Sequence, residues 1–292
     1  MRRPRRPRGH RRATMASRRY STVDVFTATP LKGNALAVVH DAEGLSDATM
    51  QQFAHWTNLS ETTFLLPPTN PAADYRVRIF FPSAELPFAG HPTLGSCHAW
   101  LAAGGKPRNK HEIVQECGVG LVRVRREQKR LAFAAPPLRR AGDVDAATLD
   151  AITRSLRLER KAIRAAQWAD NGPGWVAVML GSRDELLALK PDFARLTPRD
   201  IGVVAPMPPG DEAQFEMRAF IAGSGPNEDP VTGSLQASVA QWLIAAGLAP
   251  ERYVARQGTA LGRDGRVYVE KRGADIWIGG DCVTLVEGKV KL

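Results

Sequence analysis

At 292 residues the chain is long enough for one large domain or two of ordinary size, and its 43% hydrophobic content supplies an ample core. No apolar run approaches the ~18–20 residues of a membrane span, and three cysteines (Cys97, Cys117, Cys282) without a CxxC pair argue against a disulfide scaffold or a zinc site, so a soluble, cytoplasmic protein is expected. The net charge of +10 suggests nucleic acid at first sight, yet seven of the arginines fall in residues 1–14, and removing them leaves +3.

Residues 1–18 read as a disordered Arg-rich tail, charged, proline-bearing and nearly free of apolar side chains. No apolar stretch follows as in a signal peptide, and Met15 offers an alternative start. Contact with nucleic acid is expected only through this tail, if at all. The fold is expected to begin at Tyr20, with a strand over Ser21–Phe26, a turn at Gly33-Asn34 and a second strand over Ala35–Val39. Ser46 opens a helix that runs to about Trp56 and stops near Asn58. Strands follow over Leu59–Leu66, closed by Pro67-Pro68, and over Tyr75–Phe81. Cys117 reads as a hairpin residue before a charged strand, Leu121–Arg126, and Leu131–Ala135 precedes a crossing at Pro136-Pro137. Beyond it come a helix over Asp145–Leu156, a turn at Gly172-Pro173-Gly174, and an apolar strand over Trp175–Leu180. A short helix over Asp184–Leu189 and strands at Ile201–Ala205, Phe215–Ile221, Tyr253–Ala255, Val267–Lys271, Asp275–Ile278 and Val283–Val286 complete the chain.

The chain nearly repeats itself once. His91-Pro92-Thr93-Leu94-Gly95-Ser96 and Asp229-Pro230-Val231-Thr232-Gly233-Ser234 share proline, glycine and serine at the same places. Each runs into a small-residue apolar segment ending in Trp-Leu and then Gly104 or Gly247, and each follows a strand, Arg78-Ile79-Phe80 or Arg218-Ala219-Phe220. A period this long means two similar half-domains. Proline suits a helix's first turn, so the spacing predicts two buried helices with His91 and Asp229 at their mouths. Two facing N-termini would hold an anion in a dry cleft. Taken singly, Asp229 also reads as an ordinary N-cap, His91 as a structural histidine and Glu61 as a solvated carboxylate at a strand edge. Near two positive helix mouths, Glu61 would instead suit general-base chemistry.

Tyr20–Val39 (YSTVDVFTATPLKGNALAVV), Asn58–Phe64 (NLSETTF), Phe88–Gly95 (FAGHPTLG) and Glu228–Ser234 (EDPVTGS) together resemble the phenazine-biosynthesis PhzF-like family, in the family's own order. The resemblance implies an α+β fold of the diaminopimelate-epimerase type: two pseudo-symmetric halves, each a curved, mostly antiparallel sheet wrapped around a central helix. The halves would be 19–133 and 134–292, the last strand being a candidate to return to the first. It further implies an isomerase or epimerase that moves a proton on a small carboxylate, without cofactor or metal, in a homodimer. Glu61 matches the family's proton-transferring glutamate, and His91 and Asp229 match groups lining the same cleft. Gly90, Gly233 and Ser234, with Thr232 beside them, match the substrate contacts. Distant epimerases use a cysteine pair at the helix mouths; here Gly90 or its neighbour and Asp229 stand there, which disfavours two-cysteine racemisation. A non-catalytic binder of small anions remains the alternative.

Overall fold

The computed structural model describes residues 15–222 and 227–292; the arginine-rich residues 1–14 lie outside them. The first strand, β1 (Ser17–Val25), takes in Ser17 and Arg18, which composition alone places in the tail. Their backbone has a partner: β18 (Cys282–Lys291) returns from the chain's far end and runs antiparallel to β1, with Ser17 opposite Lys291. A strand with its ladder satisfied has no reason to fray.

In the first half, β2 (Asn34–Val39) pairs antiparallel with β1. The helix α1 (Asp47–Thr57) carries the chain over to β3 (Glu61–Leu66), which lies parallel to β2. Ser46 caps α1 by accepting from the Thr49 N–H, and Asn58 ends it in the left-handed region at φ 53°. Next come β4 (Tyr75–Phe81), antiparallel to β3, and the short β5 (Ala84–Leu86). The central helix α2 (Gly90–Ala102) then connects β4 to its parallel neighbour β6 (Glu112–Cys117). The antiparallel strands β7 (Gly120–Glu127) and β8 (Arg130–Ala134) finish the half.

The second half repeats this pairing scheme. After β9 (Arg140–Gly142) and α3 (Ala146–Leu156), β10 (Ala165–Asp170) pairs antiparallel with β11 (Val176–Met179). The short helix α4 (Arg183–Leu187) leads to β12 (Asp200–Pro206), parallel to β11, and β13 (Phe215–Ile221) runs back beside it. A two-residue bridge, β14 (Glu228–Asp229), precedes the second central helix α5 (Gly233–Ala245). Strand β15 (Arg252–Gln257) then lies parallel to β13, followed by antiparallel β16 (Gly265–Arg272) and β17 (Asp275–Gly280). The halves are joined at a seam. β8 pairs with β17 across the seam, β9 pairs with β10 inside the second half, and β18 leaves the second half to pair with β1.

The sheet buries its inner face throughout and its outer face only in part. One large core holds Leu94 and Cys97 of α2 together with Leu235, Val239 and Leu243 of α5. The outer faces have their own covers: Met50 and Phe53 of α1 against Val39, Phe64 and Phe80, and Ile152 and Leu186 against Val178, Ile201 and Phe220. Burying each such side chain stabilises the fold by roughly 1.5–3 kcal/mol. Among the described residues no helix is long and apolar enough to cross a membrane.

The central helices do not start where the hexapeptide match places them. α2 opens at Gly90, so that His91 and Pro92 lie inside its first turn, and α5 opens at Gly233, well past Asp229. Asp229 is held instead by β13, opposite Ala219. Pro92 is tolerated inside the first turn of α2, where its missing N–H has no intrahelical partner, whereas Pro230 lies ahead of α5 altogether. The two Pro-Gly-Ser matches are therefore out of step with the structural repeat, while the strands that precede them keep it.

Candidate active site

The two central helices meet end to end. A Cβ built on Gly90 would lie 2.7 Å from the Gly233 Cα, and one on Gly233 would lie 2.8 Å from the Gly90 Cα, so their backbones touch. The residues before the helices, Ala89 and Thr232, put no side-chain cap on them. The first N–H groups of a helix have no intrahelical acceptor and carry about half a positive charge between them. Both N-termini open on a cleft of about 570 Å³ between the halves, a volume suited to a small molecule; Ala89, Thr232 and Ser234 are part of its wall.

Glu61 and Asp229 also line this cleft, whereas His91 lies one layer behind it. The His91 Nε2 is 3.3 Å from the Glu61 Oε2, but the approach is off the hydrogen-bond axis, and both buried atoms remain without a bonded partner. Burial lowers the His91 pKa to about 3, so its contact with Glu61 is not an ion pair. The Glu61 carboxyl is pushed well above the usual range, first by burial and second by the Asp229 charge. Burial likewise raises Asp229 to about 6, against the opposing pull of its bonds to Thr232, Asn34 and Ser60.

Asn34 organises the group. Its Nδ2 donates to the Asp229 Oδ1 at 3.0 Å and to the Val231 carbonyl at 3.0 Å, and stands 3.3 Å from the His91 Nδ1. An amide oxygen in that place would face a carboxylate and a carbonyl, so the nitrogen belongs there. His91 Nδ1 is then an acceptor and the imidazole proton sits on Nε2, facing Glu61. The Thr232 Oγ1 donates to the Asp229 Oδ2 at 2.6 Å and accepts from the Gln257 Nε2 at 2.9 Å, which makes it a brace for Asp229. The Ser234 Oγ accepts from the Trp175 Nε1 at 3.0 Å and keeps its own proton to donate. In ¹⁵N NMR spectra His91 should appear as the neutral Nε2–H tautomer down to below pH 5, and Asn34→Ala should mix the tautomers. A protonated ring at pH 6 would contradict the assignment.

The rest of the wall is mostly apolar, including Phe81, Leu86, Phe88, Trp175 and Ile221. Arg139 is its one cationic side chain among the described residues, with its guanidinium carbon 3.9 Å from where a Cβ on Gly172 would sit. Asp200 faces the cleft from the second half, raised to about 6 chiefly by burial. It is the counterpart of Glu61: Thr62 pairs with Phe80 as Ile201 pairs with Phe220, so each carboxylate begins its strand one residue earlier. No cysteine lines the cleft among the described residues, and the Cys97 thiol is pushed up to about 12 by burial. Glu61, Asp229, Thr232 and Ser234 of the predicted set thus share one wall, with His91, Gly90 and Gly233 behind it. Asn34, Ser60, Arg139, Trp175 and Asp200 are further members that the sequence did not single out. Asn34 and Ser60 sat inside quoted motifs, where they read as a turn and a flank.

Comparison with known proteins agrees with this architecture. The family model described as "Phenazine biosynthesis-like protein" matches residues 23–288. The fission-yeast (Schizosaccharomyces pombe) protein named antisense-enhancing sequence 1 is 34% identical, the match covering 94% of this chain and 99% of that one. A Pseudomonas fluorescens trans-2,3-dihydro-3-hydroxyanthranilate isomerase is 32% identical with the same two coverages, 94% and 99%. The crystal structure of a Bacillus anthracis phenazine biosynthesis protein of the PhzF family superposes with a TM-score of 0.80 at 24% identity, over 95% of this chain and 100% of that one. At that identity the superposition speaks for the α+β fold alone.

Proposed function

This chain belongs to the phenazine biosynthesis-like protein family and is an isomerase, and we propose that it moves a proton on a small carboxylate substrate with Glu61 as general acid and base. The observation that carries this is the placing of one buried, high-pKa carboxylate on the cleft wall, between a neutral histidine and two uncapped helix N-termini. A base must hold its proton loosely enough to return it, which favours a pKa near the working pH. The Glu61 carboxylate takes a proton from an activated carbon, and the C–H electron pair passes into the adjacent π system. Glu61 then gives the proton back at another carbon on the face it serves, ending as it began, with no net oxidation.

The substrate carboxylate has two places to bind, the helix N-termini and Arg139. Asp229 lines the cleft beside Glu61 and carries a raised pKa of its own, so the two are poised to share one negative charge. His91 acts through Glu61: its Nε2–H steadies the carboxylate when charged and is released when Glu61 is protonated.

The test is solvent exchange. Small carboxylates with an acidic C–H, beginning with trans-2,3-dihydro-3-hydroxyanthranilate, are incubated in D₂O and deuterium uptake is read by mass spectrometry. Uptake should depend on the enzyme, and its rate should rise with pH through a midpoint above the ordinary carboxylate range, because Glu61 must lose its proton to act as base. Saturable binding without any exchange across the set would instead favour the anion-binder reading.

A further inference from the structure

Asp229 stands on β14, a strand of only two residues, which pair with Ala219 and Phe220 of β13. Successive side chains of a strand point to opposite faces. Asp229 therefore faces inward with Ala219, toward the cleft, and Glu228 faces outward with Phe220, into the outer core beside α4. On the inner side the Gln257 Nε2 donates to the Asp229 carbonyl at 3.0 Å. A bridge this short has few ladder bonds, so its depth in the sheet needs an anchor on the outer side as well.

Arg218 supplies that anchor. It lies two residues before Phe220 and so on the same outer face. Its Nε donates to the Glu228 Oε1 and its Nη2 to the Glu228 Oε2, both at 2.8 Å. Its Nη1 donates to the carbonyls of Leu186 and Leu189 at 3.1 and 3.0 Å, and its guanidinium carbon is 4.8 Å from the Phe220 ring centroid. These contacts fix the planar fork in one orientation, which a flexible ammonium could not hold.

The first half has the same device at the same place in the repeat. Arg78 forks Glu85 of β5 at 2.7 and 2.6 Å and lies 5.1 Å from the Phe80 ring centroid. The Arg78 and Glu85 side chains are 24% and 43% exposed, against 7% and 10% for Arg218 and Glu228. Burying an ion pair contributes little to stability, because desolvation offsets the attraction. What a buried fork does supply is a fixed geometry, and only in the second half does the strap it holds carry a carboxylate of the cleft.

We propose that Arg218 is a positioning residue for Asp229, acting through Glu228. Next along the chain from the fork, the Asp229 carboxylate is set at the depth where Thr232, Asn34 and Ser60 donate to it. Asn34 in turn faces the His91 Nδ1, so a fork in the outer core governs which nitrogen of His91 carries the proton on the inner side. Its effect on turnover rests on the proton-transfer reading; the chain of contacts does not.

¹⁵N NMR of the His91 ring in the full chain tests the proposal. Arg218→Lys keeps the charge and cannot fork, and its His91 should show mixed tautomers where the wild type shows Nε2–H alone. The double variant Arg218→Met/Glu228→Met removes the pair at similar volume; it should melt near the wild-type temperature and show the same mixing. Arg183→Ala is the control. It breaks another ion pair of this layer, Arg183 with the buried Glu216 at 3.2 Å, and should lower the melting temperature without altering the His91 spectrum. In the D₂O exchange assay on trans-2,3-dihydro-3-hydroxyanthranilate, Arg218→Lys should lower kcat by about tenfold to 10²-fold with KM nearly unchanged. If the wild type exchanges nothing, the proton-transfer reading fails and the ¹⁵N spectra still decide the fork. His91 held purely as Nε2–H in both Arg218→Lys and the double variant overturns the proposal, and so does equal mixing in Arg183→Ala.

Discussion

Replacing Glu61 by glutamine is expected to lower turnover by about 10³-fold, the usual worth of a positioned general base, while making the fold more stable. Glutamine keeps the size of the side chain and removes the proton-accepting charge. The Glu61 carboxyl sits in a site that penalises its ionised form, through burial first and the neighbouring Asp229 second. Its folded pKa is therefore above its unfolded one, and the folded protein binds the extra proton. Stability linked to that proton is fully present below the unfolded value and is lost as pH rises through the folded one. Near pH 4 the wild type and Glu61→Gln should melt together. At pH 7–8 the variant should melt roughly 2–4 °C higher, the shift that about 1 kcal/mol produces in a chain of this size. Thermal melts across pH 4–8 check this, and a variant that is less stable at pH 8 would mean the carboxylate is welcome where it sits. The paired outcome, activity lost and stability gained, separates a strained catalytic group from a structural one.

Much of the scaffold was legible because local chemistry and tertiary context agree there. Tyr75–Phe81 and Phe215–Ile221 alternate apolar with charged residues over their first five positions, and the strands have those boundaries. Ser46 and Asn58 announce α1 at both ends, and both do the capping expected of them. Strands with little alternation were not legible. Ala165–Asp170 is mostly half-buried, and β9 and β14 are too short to show a period. The site was legible as a set of residues and misaligned as a geometry. Matching His91–Ser96 to Asp229–Ser234 made His91 and Asp229 equivalent, whereas in the fold one is in a helix's first turn and the other in a strand bridge. Aligning the repeats by their strands would have paired Glu61 with Asp200 and exposed the second carboxylate of the cleft. Asn34 shows the deeper limit. Its three contacts reach residues far along the chain, and no local pattern encodes a partner so distant.

Alanine at Gly233 should destabilise the protein by about 1–3 kcal/mol, the cost of overpacking a filled contact, although the same change ordinarily stabilises a helix by up to about 1 kcal/mol. The reversal comes from the neighbour: the new Cβ meets the Gly90 Cα at 2.8 Å and the His91 N at 3.0 Å, and these are backbone atoms with no rotamer to give way. Gly90→Ala meets the Gly233 Cα at 2.7 Å from the other side and should cost a similar amount. The helices must then separate, which carries their N–H groups away from Glu61 and Asp229 and lowers activity as well, by about 10²-fold for a displacement near 1 Å. The double variant distinguishes this from two independent defects. Both methyl groups compete for one gap, so once the first has opened it the second is partly accommodated, and the combined loss should fall short of the sum by more than about 0.5 kcal/mol. Urea melts of the two single variants and the double variant measure that difference. Strict additivity would mean that each glycine serves its own helix, and that the touching N-termini are not the joint on which the cleft depends.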